Sequence, residues 1–440
     1  MKTNKLFIYL LSGALLLATA CRPTVQTPTP THGTADFTRY VSLGNSLTAG
    51  YADGGLYLNG QLNSYPSIIA KQMTAVGGGT FTQPLFTPDQ ANGSGYEQLL
   101  GFNADGTPNI APVTTNLAIR GSIAVPGFGN VTLYTKYTGD LNNYGVPGIK
   151  LQQITYAPYG NLNGYFERLL PGNSPTNNTP YLNFVMAKPF TFFSNWLGNN
   201  DALLYATSGG AGDVLTDVPT FTALNTLLIS TLTSTGAKGV VATIPDVTSI
   251  PYFNTVTVPV VLATVQKANP AVQALYINAL TSTASGAPYA PRAATAADLI
   301  VLTFPTSKIG VPNSSGYPYG LHPLNPIENQ YVLDANEVAL TKAAVTAFNS
   351  TIISTAASKG LAVFDAYTFL NNVKQYGFVT DGLTLTSNYI SGGIFSLDGV
   401  HLTPRGYSIV ANEFIKAINN KYGSNIPLAN IASYTGIKFP

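Results

Sequence analysis

Ser46 stands in Gly44-Asn45-Ser46-Leu47, directly after the short apolar run Tyr40-Val41-Ser42-Leu43. A serine hydroxyl is a weak nucleophile until a base takes its proton, and that base is most often histidine. The chain offers three histidines. His32 lies in a Pro/Thr-rich stretch, and His322 lies in a Pro/Gly/Tyr loop with no carboxylate within a few residues. His401 lies in Asp398-Gly399-Val400-His401-Leu402. From there Asp398 can reach back to the imidazole, fix its tautomer and stabilise its cation. Ser46 and His401 are near opposite ends of the chain, so only folding could unite them. Such a set would carry out acyl transfer through a covalent serine ester.

The elements that must position these residues alternate. A buried-strand pattern at 40–43 is followed by a helix opened by Ser64-Tyr65-Pro66, with Pro66 in its first turn and Tyr65, Ile69 and Met73 on one face. Phe190–Leu197 is a second strand candidate, halted at Gly198. Phe221, Leu224, Leu228 and Leu232 have helical spacing, ending towards Gly236, and Val240–Ile244 reads as a strand stopped by Pro245. Asp334 and Glu337 form a capping box ahead of the stripe Val338, Val345, Phe348, Ile352. Leu361–Phe364 is another strand, and Thr403-Pro404 opens a last helix bearing Val410, Phe414 and Ile418. Strands alternating with helices predict a parallel sheet covered on both faces, an α/β/α sandwich. Ligands bind beyond the carboxyl ends of such strands. The turns Gly44-Asn45-Ser46 and Gly198-Asn199-Asn200-Asp201 each follow a strand, so both converge on that edge. Residues 76–140 and 250–330 read as long insertions, and no internal repeat is visible.

Taken singly, these blocks have plain readings: a Gly-Asn-Ser-Leu turn, a polar loop, an Asp-x-x-His arrangement before a helix. Taken in order, they resemble the GDSL, or SGNH, hydrolase family. Gly44-Asn45-Ser46-Leu47 is similar to its nucleophile block and Gly145-Val146-Pro147-Gly148 to its second block. Gly198-Asn199-Asn200-Asp201 is similar to its G-x-N-D block and Asp398-Gly399-Val400-His401 to its D-x-x-H block. The resemblance implies Ser46 as nucleophile, His401 as base and Asp398 as its orienter. It implies an oxyanion hole made by Ser46, Gly148 and Asn200, no cofactor and no metal. It also implies a three-layer, flavodoxin-like sandwich. The blocks span Gly44 to His401, and the insertions find no counterpart. One departure is Asn45, where the family name carries Asp. Asn keeps the acceptor and adds a donor, so a turn-holding role can survive while one negative charge is lost. A G-x-S-x-G elbow is absent from the sequence.

The start of the chain is a separate matter. Lys2 and Lys5 precede the apolar run Leu6–Leu17 and Ala18-Thr19-Ala20-Cys21, the pattern of an export signal too short to span a bilayer. Cys21 is the one cysteine of the chain, and the pattern resembles the lipobox of bacterial lipoproteins, with Ala18 where Leu is more usual. Residues 1–20 are thus expected to be a signal peptide and Cys21 the lipidated mature N-terminus. Residues 21–36 would be a Pro/Thr-rich tether, and residues 37–440 the hydrolase domain. The expected location is the cell envelope, anchored by lipid to a bacterial outer membrane. Removing residues 1–20 takes away Lys2, Lys5 and no acid, so the 21 basic residues of the whole chain fall to match its 19 acidic ones. A neutral chain lacks the basic footprint of a nucleic-acid binder. Charged residues make up only 9% of the chain, yet 45% are apolar and 11% aromatic, which describes a folded protein with a hydroxyl- and amide-rich surface.

The expected activity is hydrolysis of a lipid or simple carboxylic ester. The insertions overhang the site: their Tyr/Asn/Thr content suits glycans, whereas Ile250, Tyr252, Phe253 and Val258–Leu262 suit acyl chains. The alternatives are a carbohydrate acetylesterase of the same fold and a non-catalytic binding lipoprotein.

Overall fold

Five short buried runs make the central sheet. The computed structural model describes residues 29–380 and 382–440. In it β1 (Tyr40–Gly44), β2 (Asn143–Gly145), β3 (Phe192–Trp196), β4 (Lys238–Ala242) and β5 (Ala362–Phe364) pair in parallel in the order β2-β1-β3-β4-β5. All residues of β1, β2 and β3 are buried, as a parallel sheet covered on both faces requires. Of the polar side chains among them, the Tyr40 and Ser194 hydroxyls pair at 2.7 Å, whereas Ser42 Oγ and Asn195 Oδ1 are buried with no hydrogen-bond partner among the described residues.

Helices cover both faces, so the fold is an α/β/α sandwich. They are α1 (Ser46–Ala49), α2 (Tyr65–Met73), α3 (Asn200–Thr207), α4 (Val218–Leu232), α5 (Ala335–Ser358), α6 (Ala366–Tyr376) and α7 (Pro404–Tyr422). On one face Tyr65 of α2 stacks on Phe414 of α7 at 4.8 Å, and both meet Trp196 of β3 edge-on at 5.7 Å. On the other, Phe221 of α4 stacks on Phe348 of α5 at 3.9 Å. Asn349 hooks α5 to the end of β4 by accepting from Ile244 N–H (2.7 Å) and donating to Ile244 C=O (2.8 Å).

The local signals place most of these elements. Asp334 and Glu337 form the capping box of α5. The Thr403 hydroxyl accepts from Gly406 N–H, with Pro404 in the first turn of α7. The Phe192, Phe193 and Trp196 side chains are fully buried in the core. Helix α4 starts at Val218 because the Asp217 carboxylate caps Thr220 N–H at 2.9 Å.

Two features leave no pattern in the sequence, and one expected boundary moves. Strand β2 has no apolar run: its Asn-Tyr-Gly is buried because the Asn142 amide donates to Tyr40 C=O and the Asn143 amide to Thr48 C=O. Within the 76–140 insertion, residues 96–113 and 119–134 form two antiparallel hairpins. Their faces are largely exposed, which leaves no apolar alternation to read. The packed chain begins at Thr31 rather than near Phe37, because Thr34 N–H donates to Tyr422 C=O and Ala35 is buried. The 250–330 insertion holds two helices, Pro251–Asn254 and Val258–Ala268, and a hairpin of Tyr276–Leu280 with Tyr289–Ala293. The expected signal peptide, Cys21 and tether residues 21–28 lie outside the described residues. Among the described residues no helix is long and apolar enough to cross a membrane.

Candidate active site

The strand order reverses beside β1: β2 lies on one side of it, while β3, β4 and β5 follow on the other. Ligands gather at such a switch point. Gly44 pairs with both Gly145 and Trp196, so β1, β2 and β3 end level and their three following turns share one rim. Ser46 opens α1 there. Asn45 Oδ1 accepts from Leu47 N–H at 3.1 Å and caps the helix, which is the turn-holding role open to an asparagine. Helix α1 lies so close to β2 that a Cβ on Gly145 would come within 2.3 Å of Ala49 N, so only glycine fits.

His401 sits in the loop before α7, tied there by Ser396 N–H donating to its carbonyl at 2.8 Å. Its Nε2 is 2.8 Å from Ser46 Oγ, across 355 residues of sequence. Its Nδ1 is 2.8 Å from Asp398 Oδ2. The tautomer with the proton on Nδ1 satisfies both contacts, leaving Nε2 to accept from the serine.

Asp398 is held on both oxygens. Oδ1 accepts from Val400 N–H (2.9 Å), His401 N–H (2.8 Å) and the Ser396 hydroxyl (3.1 Å), while Oδ2 also accepts from Gly54 N–H (2.9 Å). Burial by itself pushes this carboxyl up. The neighbouring His401 charge and the donors of His401 and Val400 outweigh that and hold it well below the usual carboxylate range. The Asp53-Gly54 turn completes the cradle. Asp53 N–H donates to Ser396 Oγ, and Asp53 Oδ1 accepts from Leu397 N–H. Burial, followed by the nearby Asp398 charge among the raising causes, pushes the Asp53 carboxyl up. Asp53, Gly54 and Ser396 were not legible as site residues. Asp-Gly-Gly reads only as a turn, and nothing local ties it to position 398. Tyr51 adds a ring 4.6 Å from that of His401.

Gly148 has φ +84°, in the left-handed region that favours glycine. Among the described residues neither its N–H nor that of Ser46 has a hydrogen-bond partner within the chain. Asn200 gives one amide hydrogen to Ile149 C=O at 2.9 Å and keeps a second. Asp201 fixes the same loop by accepting from Leu151 N–H (2.7 Å) and the Thr216 hydroxyl (2.7 Å). Ser46, Gly148, Asn200, Asp398 and His401 all line one open cleft of about 950 Å³. The first insertion supplies Glu97, Phe128, Asn130 and Tyr134 to its wall, and the second supplies Tyr252, Leu302 and Thr303. Of the residues expected to suit acyl chains, Phe253, Val258 and Val261 are buried in the core instead. His322 is outside the cleft, stacked on Tyr317 at 4.3 Å with Nδ1 accepting from Leu324 N–H. Among the described residues no group of three His, Cys, Asp or Glu is placed to hold a metal ion.

No family model and no curated protein matches the chain. Among solved structures, a lipase/acylhydrolase from Enterococcus faecalis aligns over 89% of this chain and 100% of its own, with 12% identity and a TM-score of 0.34. An α/β hydrolase from the metagenome of Lake Arreo covers 88% and 96%, with 11% identity and a TM-score of 0.37. An extracellular lipase from Streptomyces rimosus covers 88% and 99%, with 12% identity and a TM-score of 0.30. At these values the likenesses say nothing of what this chain does.

Proposed function

We propose that the protein is a serine ester hydrolase. The reading rests on one observation: Ser46 Oγ, His401 and Asp398 form a continuous relay with two contacts of 2.8 Å. Ser46 Oγ attacks the ester carbonyl carbon while its proton passes to His401 Nε2. The N–H groups of Ser46 and Gly148 and the second amide hydrogen of Asn200 stabilise the oxyanion. The carbon–oxygen bond to the alcohol then breaks, and His401 returns its proton to the departing oxygen. Water attacks the acyl-serine with His401 again as base, and the acid leaves with Ser46 regenerated. Asp398, ionised by its setting, stabilises the imidazolium in both halves.

A serine-directed fluorophosphonate should label Ser46, and turnover of p-nitrophenyl acetate should vanish in Ser46→Ala. Labelling of a different serine, or full turnover in that variant, would refute the assignment. We also propose that the chain is exported and anchored to the outer membrane through lipid on Cys21, on the strength of the pattern at residues 2–21. Mass spectrometry of the N-terminal peptide tests this, and an unmodified Cys21 would end it. Stable anchoring needs more than one acyl chain.

A further inference from the structure

Ser46 opens onto two spaces of very different size. One is the open cleft of about 950 Å³. The other, beside Ser46 and His401, has only about 50 Å³. It is walled by Leu47, Val247, Ile250, Leu370, Phe395 and Leu402, so it suits a hydrocarbon group. It is about one-twentieth the volume of the cleft, a space for a short hydrocarbon group such as acetyl to butyryl rather than for an octanoyl chain.

Resting on the esterase reading above, we infer that the substrates are short-chain acyl esters of neutral saccharides, with the acyl group in the small pocket and the sugar in the cleft. The division follows from the order of events. The acyl group stays bonded to Ser46 after the first step, so the smaller and less open space suits it. The alcohol must depart and water must enter, which the open cleft permits. The cleft wall gives the class of alcohol. Tyr51, Tyr252 and Tyr389 border it, beside Tyr134 and Tyr165 stacked on each other at 4.6 Å, and Asn130, Thr132 and Thr303 add an amide and hydroxyls. Sugar rings present apolar C–H faces and polar edges to match. No Lys or Arg lines the cleft, and its ionisable acids are Glu97 and Asp398. A phosphate-bearing headgroup would meet negative charge with no cation to receive it.

The test compares kcat/KM for p-nitrophenyl acetate, butyrate and octanoate, and follows acetate release from an acetylated xylo-oligosaccharide alongside lysophosphatidylcholine hydrolysis. Acetate and butyrate esters should exceed octanoate by about tenfold or more, the discrimination a few methylenes give in an apolar pocket. The saccharide should be deacetylated and the lysophospholipid should not. Leu370, half-buried on α6, gives a second measure: Leu370→Ala should raise the octanoate-to-acetate ratio by roughly tenfold. Faster turnover of octanoate than acetate by the wild type, or an unmoved ratio in Leu370→Ala, overturns the pocket assignment. Preference for lysophosphatidylcholine over the saccharide overturns the alcohol assignment. Absence of Ser46-dependent turnover on every ester overturns the esterase reading instead.

Discussion

Replacing Asp398 by asparagine tests how the triad is wired. The side chain keeps its shape, but one oxygen becomes an NH₂ group. On the Oδ1 side stand three donors, Ser396 Oγ–H, Val400 N–H and His401 N–H, and two of these are backbone groups that cannot reverse. On the Oδ2 side stand Gly54 N–H and the His401 ring nitrogen. The remaining oxygen should therefore keep the Oδ1 position, and the NH₂ should turn towards the ring. There it forces His401 Nδ1 to accept, which puts the imidazole proton on Nε2, facing Ser46. A histidine in that tautomer cannot take the serine proton. The analogous change in the serine-protease triad lowers kcat about 10⁴-fold, which at 1.36 kcal/mol per decade is about 5.4 kcal/mol of barrier. Gly54 N–H also loses a charge-assisted acceptor, worth about 1.5–3 kcal/mol of stability. Steady-state kinetics on p-nitrophenyl acetate and urea unfolding measure the two losses separately. If kcat of Asp398→Asn stays within tenfold of wild type while Ser46→Ala is dead, Asp398 does not set the tautomer and the wiring is wrong.

Ser46→Ala and His401→Ala should each abolish most turnover, and the double variant should be little worse than either, because the proton moves between them as one unit. Additive losses in kcat would refute that coupling. Asn200→Ala should lower kcat by about 10²–10³, as for one lost oxyanion donor, with KM moving less; a pure KM effect would make Asn200 a binding residue. Burial pushes the Asp201 carboxyl up to about 6 against the pull of Leu151 N–H and the Thr216 hydroxyl. Its folded value exceeds the unfolded one of about 3.9, so the folded state holds the proton more tightly. That contribution is fully present below about pH 4 and is lost as pH rises through about 6, roughly 3 kcal/mol in all. Urea midpoints of Asp201→Asn should lack this fall, and a slope equal to wild type would show that Asp201 ionises normally.

The sequence by itself determined what is local. The apolar runs of β1 and β3 and the caps at Asp334 and Thr403 are written in neighbouring residues, because burial, capping and turn geometry act over a few positions. The same holds for the pairing of Asp398 with His401, since three residues of separation put a short side chain within reach of the imidazole. Ser46 and Asn200 were legible as candidates through their strand-end turns, His401 through its place after Asp398 and before a capped helix, and Gly148 only through the family resemblance. Only the tertiary structure decided the rest. Strand β2 carries no apolar run and is buried by amide hydrogen bonds to distant carbonyls at Tyr40 and Thr48. The hairpins of the first insertion hide their order because their faces stay wet. The grip of Asp53-Gly54 on Asp398 joins segments with no shared local pattern. The size of the small pocket depends on Val247, Leu370 and Phe395 meeting beside Ser46. Hydrophobic packing is non-directional, so it brings together residues whose sequence neighbours carry no trace of the encounter.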